Sequence, residues 1–126
     1  MTSFTLTTIL HASVLVQNTS TALAFYHGVL GLQIVADRPD LGYPGAWLQL
    51  GQQQIHLLEL PNPDPITGRA AHGGRDRHTA MAVTSIAGLQ SALEQARVAY
   101  TLSRSGRRAL FCRDPDGNAL EFIEVP

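Results

Sequence analysis

Lysine is absent from this chain, whose nine basic residues are all arginine and are balanced by ten acids, for a formal net charge of −1. A balance so close to neutral excludes the strongly basic footprint of a nucleic-acid-binding domain, and the arginines are not interleaved with aromatics as a single-strand platform requires. Cysteine occurs once, at Cys112, so an intrachain disulfide is excluded and a reducing, cytoplasmic location is expected. No apolar run reaches the length of a membrane span, and the apolar stretch over residues 9–16 has no basic segment before it. Neither a membrane partner nor a secretory leader is expected. Glycine-rich phosphate loops, the His-Glu-x-x-His helix and the Gly-x-Ser-x-Gly elbow are also missing, which removes three common signatures of nucleotide, zinc-protease and serine-hydrolase chemistry.

What is present is a chain of 126 residues, 44% hydrophobic and 15% charged, long enough to bury about two thirds of its unfolded surface in one core. A single domain over residues 1–126 is expected, and within it the sequence repeats. Leu120-Glu121-Phe122-Ile123-Glu124-Val125-Pro126 reads onto Ile55-His56-Leu57-Leu58-Glu59-Leu60-Pro61 at an offset of 65, and His11 with Val16 recurs as His78 with Val83 at an offset of 67. Two copies in so short a chain imply two halves of one fold.

The first half, about residues 8–60, opens with a strand rich in β-branched residues. Its alternation puts His11, Ser13 and Leu15 on one face and the wholly apolar Leu10, Ala12, Val14 and Val16 on the other. Asn18 suits an N-cap, and Ala22, Leu23, Tyr26, Val29 and Leu30 recur at helical spacing for three turns until Gly31 ends the pattern. Strands over 33–38, 46–50 and 53–60 follow. Residues 61–77 carry prolines, glycines and arginines without a period and read as a linker or a loop over a site. The second half, about 78–126, repeats the order: a strand over 78–84, a helix capped by Ser85 with Ile86, Leu89, Leu93 and Ala96 on its buried stripe, and strands over 100–103, 108–113 and 119–125. The last two are joined by the turn-forming Asp114-Pro115-Asp116-Gly117-Asn118. The fold class is therefore α+β, built as two βαβββ repeats.

Each repeat places possible metal ligands at equivalent positions: His11 with His78 in the opening strands, His56 with Glu121 in the closing ones. Taken singly, each has an ordinary explanation as a bonded core residue or an exposed strand residue. Their joint recurrence is what points to one divalent ion, because a carboxylate between Leu120 and Phe122 is costly unless paired or metal-bound. Imidazoles with one carboxylate suit Fe, Ni, Co, Zn or Mn. Arg69, Arg75, Arg77 and Arg108 are candidates for holding an acidic group of a substrate, since a guanidinium grips a carboxylate or phosphate through two parallel bonds. His27 is expected on an exposed helix face, His72 can reach the site only if its loop folds over it, and Cys112 reads as a small buried hydrophobe.

The paired repeats, together with Ala24-Phe25-Tyr26-His27-Gly28-Val29-Leu30-Gly31-Leu32 and Asp114-Pro115-Asp116-Gly117-Asn118-Ala119-Leu120-Glu121-Phe122, resemble the vicinal oxygen chelate superfamily. That group includes glyoxalase I, methylmalonyl-CoA epimerase, extradiol dioxygenases, and fosfomycin and bleomycin resistance proteins. The resemblance implies an open, barrel-like mixed sheet, a homodimer, and a metal held by His11, His56, His78 and Glu121. It also marks departures. His56 stands where glyoxalase I carries Glu, Leu15 where the bacterial enzyme carries its glutathione-binding Arg, and Phe111 where extradiol enzymes carry Tyr.

The expected function is a divalent-metal-dependent enzyme of the glyoxalase and dioxygenase type acting on a small, oxygen-bearing, acidic molecule. Proton transfer of the lyase or isomerase kind is favoured, with His56 and Glu121 as catalytic residues. An Fe(II) extradiol-type dioxygenase and a non-enzymatic, drug-resistance-type binder are the alternatives.

Overall fold

The computed structural model describes residues 2–126. The first module contains β1 (His11–Leu15), a helical segment made of α1 (Thr19–Leu23) and a π-helical stretch (Ala24–Val29), then β2 (Gln33–Ile34), β3 (Gly45–Leu50) and β4 (Gln53–Leu58). The second contains β5 (His78–Val83), α2 (Ile86–Gln95), β6 (Tyr100–Leu102), β7 (Ala109–Arg113) and β8 (Ala119–Glu124), preceded by a 3-10 turn at Gly73–Arg75. Each module forms one four-stranded sheet, in the orders β1-β4-β3-β2 and β5-β8-β7-β6. The first and last strands of each pair in parallel and the other neighbours are antiparallel. This is the expected pair of βαβββ repeats, and the sheets are not closed into a barrel. No helix among the described residues is long and apolar enough to cross a membrane.

The repeat extends to the helix caps. Asn18 and Ser85, one in each module, cap the helices by accepting from the backbone N–H groups of Thr21 and Gly88. The closing strands contribute a second, equivalent cap: Glu59 accepts from the Thr19 N–H at 2.8 Å, and Glu124 from the Ile86 N–H at 2.8 Å. A carboxylate at a helix N-terminus satisfies an otherwise unpartnered donor and meets the positive end of the helix dipole. Each helix is thereby tied across its own sheet, and the alternation of the strands decides what lies beneath it. Val16, Leu48, Ile55 and Leu57 in one module and Met81, Leu110, Leu120 and Phe122 in the other join one apolar core. Full burial of such side chains stabilises by about 1.5–3 kcal/mol each.

Two elements differ from the periodicity. The strand expected over 33–38 keeps only Gln33 and Ile34, because Asp37, Pro39 and Asp40 turn the chain away before a longer ladder can form. The first helix widens after one turn: the Leu30 N–H bonds the Phe25 carbonyl, five residues back. The wider turn leaves the adjacent side chains Phe25 and Tyr26 both buried, and Gly31, at φ 76°, ends it.

Tyr26 carries the main polar link between modules. Its hydroxyl donates to Asp114 Oδ2 at 2.7 Å, and both residues are buried. Asp114 Oδ1 accepts from the N–H groups of Asp116 and Asn118, closing the turn in which Gly117 takes φ 84°. Asn118 Nδ2 donates to the Leu15 carbonyl, and the Gln17 N–H to Asp116 Oδ1. The turn of the second module is thus bolted to the first strand and helix of the first. Burial raises the Asp114 carboxyl above its usual range, with the hydrogen bonds pulling the other way, and raises the Tyr26 hydroxyl well above its own.

Residues 61–77 are fixed near their end by Asp76, which accepts from Arg69 Nε and Arg113 Nη1, each at 2.8 Å. Arg113 also donates to the carbonyls of Ala70 and Gly117, so one guanidinium joins β7, the loop and the Asp114–Asn118 turn. The two arginines hold the Asp76 carboxyl far below the usual carboxylate range, Arg69 first.

Two outcomes follow from these links. Tyr26→Phe leaves Asp114 short of a partner and should cost about 1–3 kcal/mol, read as a lower urea midpoint with an unchanged slope; an unchanged midpoint would show the link to be dispensable. Because the folded pKa of Asp76 lies below its unfolded value of about 3.9, its contribution is complete above that value and is lost as the pH falls towards the folded one. Asp76→Asn should therefore lower the melting temperature at pH 7 and flatten the acid limb of the melting-temperature profile below about pH 4. A parallel offset of the two profiles would count against this assignment.

Candidate functional site

The four expected ligands come together as two pairs, one on each sheet. In the second module His78 opens β5 and Glu121 lies in the middle of β8, which the register sets opposite Ala80. Both occupy the face away from the core, so Glu121 sits between the core residues Leu120 and Phe122 without joining their cluster. It is nonetheless only 4% exposed. His78 Nε2 lies 3.1 Å from Glu121 Oε1, and Arg107 Nη2 donates to Glu121 Oε2 at 2.9 Å. The Arg107 guanidinium and the facing imidazole offset the cost of burying the carboxylate.

The hydrogen bond on the far side of His78 fixes its tautomer. Nδ1 is 2.8 Å from the Asp76 carbonyl, which can only accept, so Nδ1 carries a proton. Nε2 then faces Glu121 either as the second N–H of an imidazolium or with its lone pair directed at a cation that the carboxylate also holds. A backbone carbonyl behind the ring is the usual support of a metal-ligating histidine.

The first module makes the equivalent pair from His11 and His56. Their rings stack at 3.9 Å between centroids, and Trp47, directly opposite His56 in the ladder, stacks on its other side at 4.2 Å. A relay of side-chain amides orients His56. Gln49 Nε2 donates to the carbonyls of Gly51 and Gln53, which directs Gln49 Oε1 to accept from Gln54 Nε2, and Gln54 Oε1 then accepts from His56 Nε2 at 2.8 Å. His56 is left with an unprotonated Nδ1. Burial first, then the neighbouring His11 and Arg38, lower its pKa, so the neutral ring is favoured. Neutral imidazoles and a carboxylate are a chemically suitable donor set for a divalent transition ion. The expected convergence of all four is not met inside one chain: among the described residues no three His, Cys, Asp or Glu side chains lie close enough to hold an ion.

A cleft of about 310 Å³ opens above the second pair, with Phe111 and Glu121 at its base. His72 lines it, so the long loop does fold over this site; its ring packs on Phe111, and its Nδ1 is occupied in accepting from the Gly74 N–H. Of the four arginines expected to meet substrate, only Arg75 lines this cleft. Arg69 is paired with Asp76, Arg77 with Asp64 and Arg108 with Glu124. Arg104 and Arg107, in the β6–β7 hairpin, line it as well. The signal for Arg107 was the strand register: β7 pairs with β8 so that Arg108 lies beside Glu124, and its neighbour Arg107 reaches the other face, where Glu121 is. His27 is exposed as expected, and buried Cys112 has its thiol pushed up to about 12 by desolvation, which makes it inert at neutral pH.

Residues 8–122 match the Glyoxalase/Bleomycin resistance protein/Dioxygenase superfamily. The chain is 31% identical over 122 residues to Glyoxylase I 4 of Arabidopsis thaliana, covering 93% of this chain and 70% of that one. Its fold is similar to the crystal structure of a glyoxalase family protein from Bacillus anthracis, with a TM-score of 0.80 at 25% identity, covering 99% of this chain and all of that one. It is also similar to an antibiotic binding protein from Streptomyces sp. CB03234, at 0.75 and 18% over 98% of this chain and all of the other, a likeness of fold alone. Members of this superfamily typically use a divalent metal, bind small molecules and usually form dimers. By its sequence match and by its two βαβββ modules, the chain belongs to the glyoxalase/bleomycin resistance/dioxygenase, or vicinal oxygen chelate, superfamily.

Proposed function

We propose that this protein is a divalent-metal-dependent enzyme that moves a proton within a small, oxygen-bearing substrate, in the manner of a glyoxalase-type lyase or isomerase. The observation that carries the reading is the orientation of the two histidines that can be assigned. Backbone carbonyls, directly for His78 and through the glutamine relay for His56, hold one ring nitrogen of each as a donor, which leaves Nε2 of His78 facing Glu121 and Nδ1 of His56 unprotonated. Because each chain offers two donors per sheet, the site is completed by a second copy, with His11 and His56 of one chain facing His78 and Glu121 of the other. The segment before β1 supports a second copy as well, since it leaves Phe4 86% and Leu6 89% exposed, apolar surface that a partner would cover.

In this reading His11, His78 and Glu121 hold the ion. Once bound, it supplies a Lewis acid that polarises the oxygen atoms of the substrate. His56, neutral and with Nδ1 unprotonated, would accept the proton from the hydroxyl-bearing carbon beside the substrate carbonyl and return it to the former carbonyl carbon, while the hydroxyl proton passes to the former carbonyl oxygen. Trp47 and His11 fix the plane of the ring for that transfer. The dioxygenase alternative draws less support, because Phe111 offers no hydroxyl where a tyrosine is expected, and oxygen uptake with catechols under Fe(II) would revive it.

Protein purified without chelator should be a dimer carrying about one transition ion per chain, lost in His78→Ala and Glu121→Gln. His56→Gln should keep the ion and lose about 10²–10⁴-fold in deuterium exchange from solvent into small α-hydroxycarbonyl compounds, the usual contribution of a positioned base. Metal content indifferent to His78→Ala and Glu121→Gln would overturn the ligand assignment. Loss of the ion in His56→Gln would make that residue a ligand instead of the base.

A further inference from the structure

We infer that the cleft above His78 and Glu121 is a subsite for a compact oxyanion, a phosphoryl or dicarboxylate head group, gripped by Arg75 and Arg104. The inference rests on the proposed function only for what happens beyond the head group. Six of the nine arginines in the chain have carboxylate partners or structural bonds of their own: Arg69 and Arg113 share Asp76, Arg77 holds Asp64, Arg108 holds Glu124, Arg107 holds Glu121, and Arg38 donates to the Tyr43 carbonyl. Of the other three, Arg75 and Arg104 line one cleft, from two separate loops. Among the described residues neither has an acid within ion-pairing distance. Both are exposed and line the same concavity; like charges brought to one concavity repel each other, and an anion between them reverses the sign of that interaction.

The rest of the lining agrees in chemistry. The sole carboxylate in the cleft, Glu121, is already covered by His78 and Arg107. The hairpin that carries Arg104 is preorganised by serine hydroxyls, with Ser103 Oγ and Ser105 Oγ 2.7 Å apart and the Ser105 N–H donating to Ser103 Oγ. Both hydroxyls lie at the wall, and since one donates to the other, one proton remains to donate to an anion. A volume of about 310 Å³ is at the small end for ligand pockets. It suits a small charged molecule better than a polymer, and Phe111 closes its floor. An oxyanion seated between Arg75 and Arg104 leaves the uncharged end of the same molecule directed at the His78–Glu121 pair, so charge selects the substrate and orients it.

The test is calorimetric titration of the full chain with inorganic phosphate and, in parallel, malonate, each with and without chelator, at low salt. Saturable binding of at least one anion is expected, unchanged in kind by chelator and weakened by added salt. Arg75→Gln and Arg104→Gln should each weaken it about tenfold, the loss of one charge-assisted contact, whereas Arg108→Gln, whose partner is Glu124, should stay within about twofold, as expected of an exposed pair on another face. The tighter of the two anions identifies the head group. No saturable heat for either anion, or equal weakening by Arg108→Gln, would overturn the subsite. Since the chelator arm does not need the metal, anion binding without metal binding would fail the enzyme reading alone, and metal binding without anion binding would fail this inference alone.

Discussion

Glu121 is a carboxylate enclosed in protein on the face of β8 opposite the core, and much of the site's arrangement answers the cost of that enclosure. An isolated buried charge is prohibitive, so it must be met by partners, and two are present: the ring of His78 beside one oxygen and the guanidinium of Arg107 on the other. They differ in kind. His78 is held from behind by a backbone carbonyl, whereas the side chain of Arg107 is 58% exposed on a hairpin loop. A divalent ion at the same carboxylate would compete with Arg107 for its charge, and the exposed, flexible partner is the one that can withdraw at little cost.

The duplication of the module explains why there are two such places. Strand alternation commits one face of each sheet to the core, so any polar residue at the centre of a closing strand must appear on the other face. His56 and Glu121 are that residue in the two copies. The helix caps follow the same logic three residues later, where Glu59 and Glu124 return to the opposite face and reach the N-terminus of the helix that covers it. One arrangement of strand and helix therefore fixes both the scaffold and the donor, and the two modules share it although only one carries a carboxylate at the donor position.

Most of this architecture was legible in the sequence because it depends on local pattern. The offset of the repeats, the N-caps Asn18 and Ser85, and the alternation that separates Glu121 from Leu120 and Phe122 all act within a few residues. The π-helical turn was not legible, since Phe25 and Tyr26 reveal their common burial only once Asp114 is present to receive the tyrosine hydroxyl. The arginines were the least readable. Arg69, Arg77 and Arg108 have the composition of ligand-binding residues, but their carboxylate partners lie seven to sixteen positions away, and which pair forms depends on loop paths that no periodicity encodes. Arg107 and Arg108 show the difference most sharply: adjacent in sequence, they face opposite sides of one sheet, and only the register tells them apart.

The separation of the donors into two pairs has a consequence for how such a site is built. Two ligands hold a divalent ion weakly, and among the described residues neither pair has a third donor close enough to share an ion. Each pair is nevertheless oriented in advance, by the Asp76 carbonyl in one module and by the relay through Gln49 and Gln54 in the other, so little ordering remains to be done when the pairs meet. A preorganised pair is also stable without its complement, because stacking on Trp47 satisfies His56 and Arg107 satisfies Glu121. In the proposed dimer, completing the site brings two preoriented surfaces together, and the free energy of metal binding would contribute to association. In that dimer metal affinity and dimer affinity are linked, so a substitution at a proposed ligand, His11, His78 or Glu121, should alter both.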